Sequence, residues 1–203
     1  MKIKWVLGGI LAFFYFSKYF TLFKLTKKAK YLENCTIWLA QVFTYSQLSY
    51  MFKNYRLVEL RRAAFKLSKK VSDIEYLKSL DKQSVGYSLY LFRYNQSFTQ
   101  KDFINFITTI TWKNPKAEGY STCLRILTDT LHDILHSVLE KGVSIKEEKV
   151  VTFFTGKHTC NKGLMLIPLL LEDNSFIDDG KRLDLNQADT WLEMNKHDFI
   201  GMI

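Results

Sequence analysis

Trp5 to Phe23, WVLGGILAFFYFSKYFTLF, is an almost unbroken apolar and aromatic run, preceded by Lys2 and Lys4 and followed by Lys24, Lys27, Lys28 and Lys30. As a helix of about 19 residues rising roughly 1.5 Å each, it reaches about 28 Å, near the thickness of a bilayer's hydrocarbon core. Three readings compete. A cleaved secretory signal fits the lysines and the apolar core, but Ser17, Lys18, Tyr19 and Phe20 offer no small-x-small cleavage site. A buried core helix fits Lys18 and the shortness of the purely apolar part. A single span lets Lys18 snorkel toward the headgroups and sets Trp5, Tyr15 and Tyr19 near the interfaces. The third is the expectation: residues 1–23 form a transmembrane anchor. Positive residues are denser on its C-terminal side, so the positive-inside tendency predicts a single-pass membrane protein with a cytoplasmic C-terminal domain.

Composition supports a folded chain, 47% hydrophobic and 24% charged over 203 residues. The net charge of +9 is unevenly placed. Residues 1–70 hold fourteen Lys and Arg against Glu33 and Glu59, whereas residues 71–203 hold fifteen against eighteen Asp and Glu. Basic residues beside an anchor gain about 1 kcal/mol each near anionic lipid. That makes Lys24, Lys27, Lys28 and Lys30 candidate membrane-surface contacts and membrane lipids the expected partner. The same charge also attracts phosphates, but the C-terminal part lacks a one-sided basic surface, which argues against nucleic acid. Cys35, Cys123 and Cys160 are odd in number and widely spaced, giving no disulfide framework. That agrees with a reducing compartment.

Residues 24–80 read as a basic helical connector. Its uncharged part, 34–52, carries too many Gln, Ser and Thr for a second span and reads as a helix on the membrane or on the domain. From Asn54 to Leu80, Leu57, Leu60, Ala64, Leu67, Val71 and Ile74 recur at three- and four-residue steps, predicting one buried face. A short dimerising seam, giving a homodimer or a protein partner through 54–80, has similar spacing.

Residues 81–203 read as an α+β domain of at least three strands, which with the connector gives about five helices after the anchor. The predicted strands are Val85–Tyr94 (VGYSLYLFRY), Lys149–Thr155 (KVVTFFT) and Leu164–Leu171 (LMLIPLLL), the last bulged or at an edge because of Pro168. A helix is predicted from Thr99, with Phe103, Phe106, Ile107 and Ile110 buried, then a loop from Lys113 to Tyr120. Ser121 to Lys141 is the strongest helix, with a stripe of Leu124, Leu127, Leu131, Ile134, Leu135 and Val138 and Gly142 past its end. The order of that helix, KVVTFFT, a loop and LMLIPLLL resembles the opening of GAF-type sensory domains, which implies ligand sensing.

One chemical pattern stands out. His132 and His136 at i and i+4 share a helix face, the geometry that lets two imidazoles bind one zinc. His132-Asp133-Ile134-Leu135-His136 resembles the H-E-x-x-H of zinc peptidases, with the shorter Asp133 where that family has its glutamate base. The resemblance implies a third ligand, for which His158, Cys160 and His197 are candidates. His132-Asp133 is also similar to the His-Asp pair of metal-dependent phosphohydrolases, which need an earlier histidine that this chain lacks. The simpler alternative places both histidines on a solvated polar face beside Asp129 and Glu140.

Gly156 to Gly163 looks like a phosphate loop but fails the Walker pattern, since His158 follows Lys157 and no upstream glycine is in register. As a strand-to-strand loop it offers Lys157, His158 and Lys162 to an anionic ligand. Cys160 and His158 at i and i+2 do not orient a base onto a thiol. No catalytic set converges, so the expected function is non-catalytic ligand or partner binding without a cofactor. The alternatives are a metal-dependent hydrolase, using zinc or another divalent metal on His132, His136 and His158, and an accessory subunit of a membrane complex.

Overall fold

A computed structural model describes residues 2–95, 115–142, 144–171 and 179–203. The fold is all-helical, with no strand among the described residues and one isolated bridge, Ser84 to Asn195. In chain order the helices are α1 (Lys2–Thr26), α2 (Ala29–Asn54), α3 (Leu57–Ser72), α4 (Ile74–Ser79), α5 (Val85–Asn95) and α6 (Pro115–Val138). There follow α7 (Ile145–Thr159), α8 (Lys162–Leu170), a 3-10 segment (Leu185–Glu193) and α9 (Lys196–Met202). The helix predicted from Thr99, with Phe103 to Ile110, lies outside the described residues.

The α+β expectation is corrected at all three strands, and with it the GAF-like order. Short apolar runs fit a buried helix as well as a buried strand, and the ends decide between them. VGYSLYLFRY becomes α5 because the Ser84 hydroxyl accepts from the Tyr87 amide at 3.1 Å, and Val85 and Leu89, one turn apart, are fully buried. KVVTFFT sits inside α7, which starts at the N-cap Ser144. Ser144 accepts from the Glu147 amide at 3.4 Å and donates to its carboxylate at 2.6 Å, with Glu147 and Glu148 in the first turn. LMLIPLLL lies in α8, capped by Asn161 through the amides of Gly163 and Leu164. Pro168 falls near its C-terminal end, where the helix stops two residues later. The loop predicted at 113–120 is likewise corrected from Pro115 onward, which opens α6.

The anchor is corrected too. Among the described residues no helix is long and apolar enough to cross a membrane. The purely apolar part of α1 between Trp5 and Tyr15 rises only about 14 Å, half of what a span needs. Beyond it, the Ser17 and Thr21 hydroxyls turn back to the carbonyls of Phe13 and Ser17, and Lys18 is exposed. Tyr15 stacks on Trp38 of α2 at 4.6 Å and Tyr19 on Tyr31 at 6.4 Å, so these rings serve protein packing. The single-pass placement with a cytoplasmic C-terminal domain therefore has no helix to carry it among the described residues.

The described residues cluster into two compact units, residues 1–50 with 143–179, and residues 51–142 with 180–203. In the first, α7 and α8 form a helical hairpin turned by Cys160, which adopts a left-handed conformation at φ 58°. A Cβ on Gly156 would lie 2.7 Å from Leu164 Cβ, and one on Gly163 would collide with the Leu39 carbonyl. Both glycines thus permit backbone contact between helices. Gln47 of α2 donates to the Thr159 carbonyl at 2.8 Å and accepts from Asn161 at 3.0 Å, a buried polar tie to the turn.

In the second unit, α3 is strongly amphipathic. Leu60, Ala63, Ala64, Leu67 and Val71 are buried against the 3-10 segment and α6. Trp191 and Phe199 meet edge to face and are almost fully buried. The acids of the 3-10 segment hold α3 from the side, Asp189 with Lys66 at 3.3 Å and Glu193 with Lys70 at 2.5 Å. The Tyr76 hydroxyl also bonds Glu193.

Candidate functional site

The predicted apolar stripe of α6 is fully buried, from Leu124 to Val138. Helical spacing then gathers Asp129, His132, Asp133 and His136 on another face. That face is not simply solvated. His136 is only 2% exposed, and its ring stacks on Phe92 of α5 at 5.3 Å with 7° between the planes. Asp133 accepts from Arg93 at 2.9 Å, while the same guanidinium donates to the Val71 carbonyl at 2.9 Å.

The C-terminus of α6 orients His136. Glu140 takes the left-handed conformation (φ 54°) that closes a helix, and the Lys141 amide returns to the His136 carbonyl at 3.0 Å. Gly142, expected to end the helix, does not supply the left-handed position. This turn sets the Lys141 carbonyl 3.0 Å from His136 Nδ1. A carbonyl only accepts, so Nδ1 carries a proton, which in a neutral ring leaves the lone pair on Nε2. His132 Nε2 lies 3.2 Å from it.

Asp129 completes the electrostatics. Burial raises its pKa from 3.8 to about 7, Asp133 adds to the rise, and Arg125 opposes it. Its Oδ2 is sealed from solvent without a hydrogen bond among the described residues, although the side chain keeps 33% of its surface. Arg125 Nε stands 3.5 Å away.

The remaining candidates are placed differently. His158 and Lys157 are buried at 0% and 2% exposure on α7, in the other unit. Lys157 pairs with Asp179 at 2.9 Å over the Phe154 ring. Lys162 is exposed at the start of α8, and the predicted strand-to-strand loop is a helix-to-helix turn. His197 is exposed on α9, and Cys160 is the turn residue. Lys24, Lys27, Lys28 and Lys30 are exposed around the α1–α2 junction.

A second feature is the solvent face of α3. Val58 is 80% and Phe65 47% exposed, seven residues apart, with exposed Arg61, Arg62 and Lys69 on the same face. Arg61 lies over the Phe65 ring at 5.6 Å. Among the described residues none of these three cations reaches a carboxylate. The sequence shows the charge but not that Lys66 and Lys70 are neutralised while these three are not.

Phe92 and Arg93 were missed because VGYSLYLFRY reads as a strand, and Ser84 as an N-cap is the signal that finds them. The Lys141 carbonyl was missed because Glu140, and not Gly142, takes the left-handed turn. No protein-family model, curated protein or solved structure matches this chain.

Proposed function

We propose that this chain is a non-catalytic binding protein that docks an acidic amphipathic helix of a protein partner on the solvent face of α3. The observation that carries the reading is the pairing of exposed Val58 and Phe65 with three cations that meet no carboxylate among the described residues. Apolar residues seven apart suit the seam of a partner helix, and flanking Asp and Glu suit the cations. A nucleic acid would leave Val58 unused. A second copy would bring cations against cations, and the seam Leu60, Ala64, Leu67 and Val71 is already buried within its own unit.

The hydrolase alternative meets a specific obstacle. Asp133, where the zinc peptidases have their base, is held by Arg93.

The test is fluorescence anisotropy of a labelled synthetic helix with a leucine seam and glutamate flanks, against the same helix with lysine flanks. The full chain binds the acidic peptide and ignores the basic one. The triple substitution Arg61→Glu, Arg62→Glu and Lys69→Glu weakens binding by about tenfold or more. Binding unchanged by that substitution, or tighter binding of duplex oligonucleotide or anionic vesicles at physiological salt, overturns the proposal.

A further inference from the structure

We infer that His132 and His136 form a chelate for a divalent transition metal that favours imidazole, with Zn2+, Cu2+ and Ni2+ as the class. This inference does not rest on the α3 docking surface. It begins with a distance. Two nitrogens bound to one tetrahedral zinc at about 2.0–2.1 Å stand roughly 3.3–3.4 Å apart. The Nε2 atoms of His132 and His136 are already 3.2 Å apart, so a metal can be taken up with little movement of either ring.

Tautomer and orientation are prepared at His136, while at His132 the proton that joins the two Nε2 atoms leaves Nε2 as the metal enters. Metal-bound imidazoles are usually held through their other nitrogen by a carbonyl or carboxylate. His136 has that support from the Lys141 carbonyl at 3.0 Å. The support comes from a helix cap in which Glu140, without the freedom of glycine, occupies the left-handed region, and that position lets the chain turn back toward His136. Stacking on Phe92 restrains the His136 ring about its remaining torsion. A ring held on one face and at one nitrogen loses little freedom on binding.

The neighbouring carboxylates define what kind of site this is. Asp133 is occupied by Arg93, and Arg93 is fixed in turn by the Val71 carbonyl. The site is a binding site, in which metal clips together two turns of α6 next to the α5 contact. Two imidazoles supply half of a tetrahedral set, and the rest of the shell is completed by other donors.

The test uses the full chain after chelator treatment. Zn2+, and separately Ni2+, is titrated by calorimetry and followed by thermal unfolding, with X-ray absorption on the zinc-loaded protein. One equivalent binds, the midpoint rises with metal concentration, and the absorption spectrum shows two imidazole nitrogens. His132→Ala, at the half-buried partner, weakens binding at least about tenfold. His197→Ala, on an exposed histidine, leaves it unchanged. His136→Ala removes packing on Phe92 and can lower stability on its own, so His132→Ala is the deciding variant. Absence of saturable binding, or binding that His132→Ala does not weaken, overturns the inference.

Discussion

Arg93 Nη2 donates to Asp133 Oδ2 at 2.9 Å, joining α5 to α6 through a pair whose arginine side chain is only 12% exposed. The same arginine caps the Val71 carbonyl from α3, so one side chain links three helices. Removing one member of such a pair strands the other. Arg93→Met is therefore expected to cost about 2–4 kcal/mol in urea unfolding, and Asp133→Asn less. A double-mutant cycle should return coupling well above what a surface pair gives.

Asp129 gives the stability a pH dependence of definite sign. Its carboxyl ionises near 3.8 in the unfolded chain and near 7 in the fold. Between those values the native state keeps a proton that the unfolded chain has lost, so stability falls as pH rises from about 4 to about 7. Asp129→Asn should flatten that fall, melting higher than the wild type above about pH 7 and converging with it near pH 4. Thermal unfolding followed by circular dichroism across this range checks it, and parallel curves for the two proteins would contradict it.

The glycines of the first unit divide by what surrounds them. Gly163→Ala sets a methyl against the Leu39 carbonyl and Ala40, which are backbone and cannot swing aside. Gly156→Ala presses on Leu164 and the Asn161 carbonyl. Each is expected to lose about 1–3 kcal/mol by overpacking. Gly9→Ala, with nothing within 4 Å, should instead gain about 0.5–1 kcal/mol of helix stability. Denaturant titration of the three variants separates the cases.

The cysteines should react unequally. Burial pushes the Cys35 thiol up to about 12 and the Cys123 thiol up to about 11, whereas Cys160 is half-buried at a turn. The thiolate is the reactive form, so a native protein labelled briefly at neutral pH should take up reagent at Cys160. Denaturant should release the other two. Peptide mapping by mass spectrometry reads the positions, and rapid native labelling of Cys35 would show that α2 opens there.

Some of this was legible from residue order. The three- and four-residue steps foretold the burial of Leu60, Ala64, Leu67 and Val71 in α3 and of Leu124 to Val138 in α6, but not that Leu57 is half-buried and Ile74 exposed at the ends of the first stripe. The i, i+4 spacing of His132 and His136 foretold that they would face the same way. Helices α5, α7 and α8 were not foretold, because runs such as VGYSLYLFRY and LMLIPLLL are apolar on too many sides for periodicity to choose. Their caps, Ser84, Ser144 and Asn161, carried the information in single hydrogen bonds.

The apolar run from Trp5 to Phe23 shows the same limit from the other direction. Hydropathy alone weighs Tyr15 and Tyr19 as interfacial anchors, but in the fold they stack on Trp38 and Tyr31. By itself the sequence determined helix faces and charge placement, since both follow from covalent order and a fixed rise per residue. Only the tertiary structure decided which groups meet across helices, Phe92 on His136 and Arg93 on Asp133. Those contacts join segments far apart in the chain, and their partners are chosen by packing, which no local period encodes.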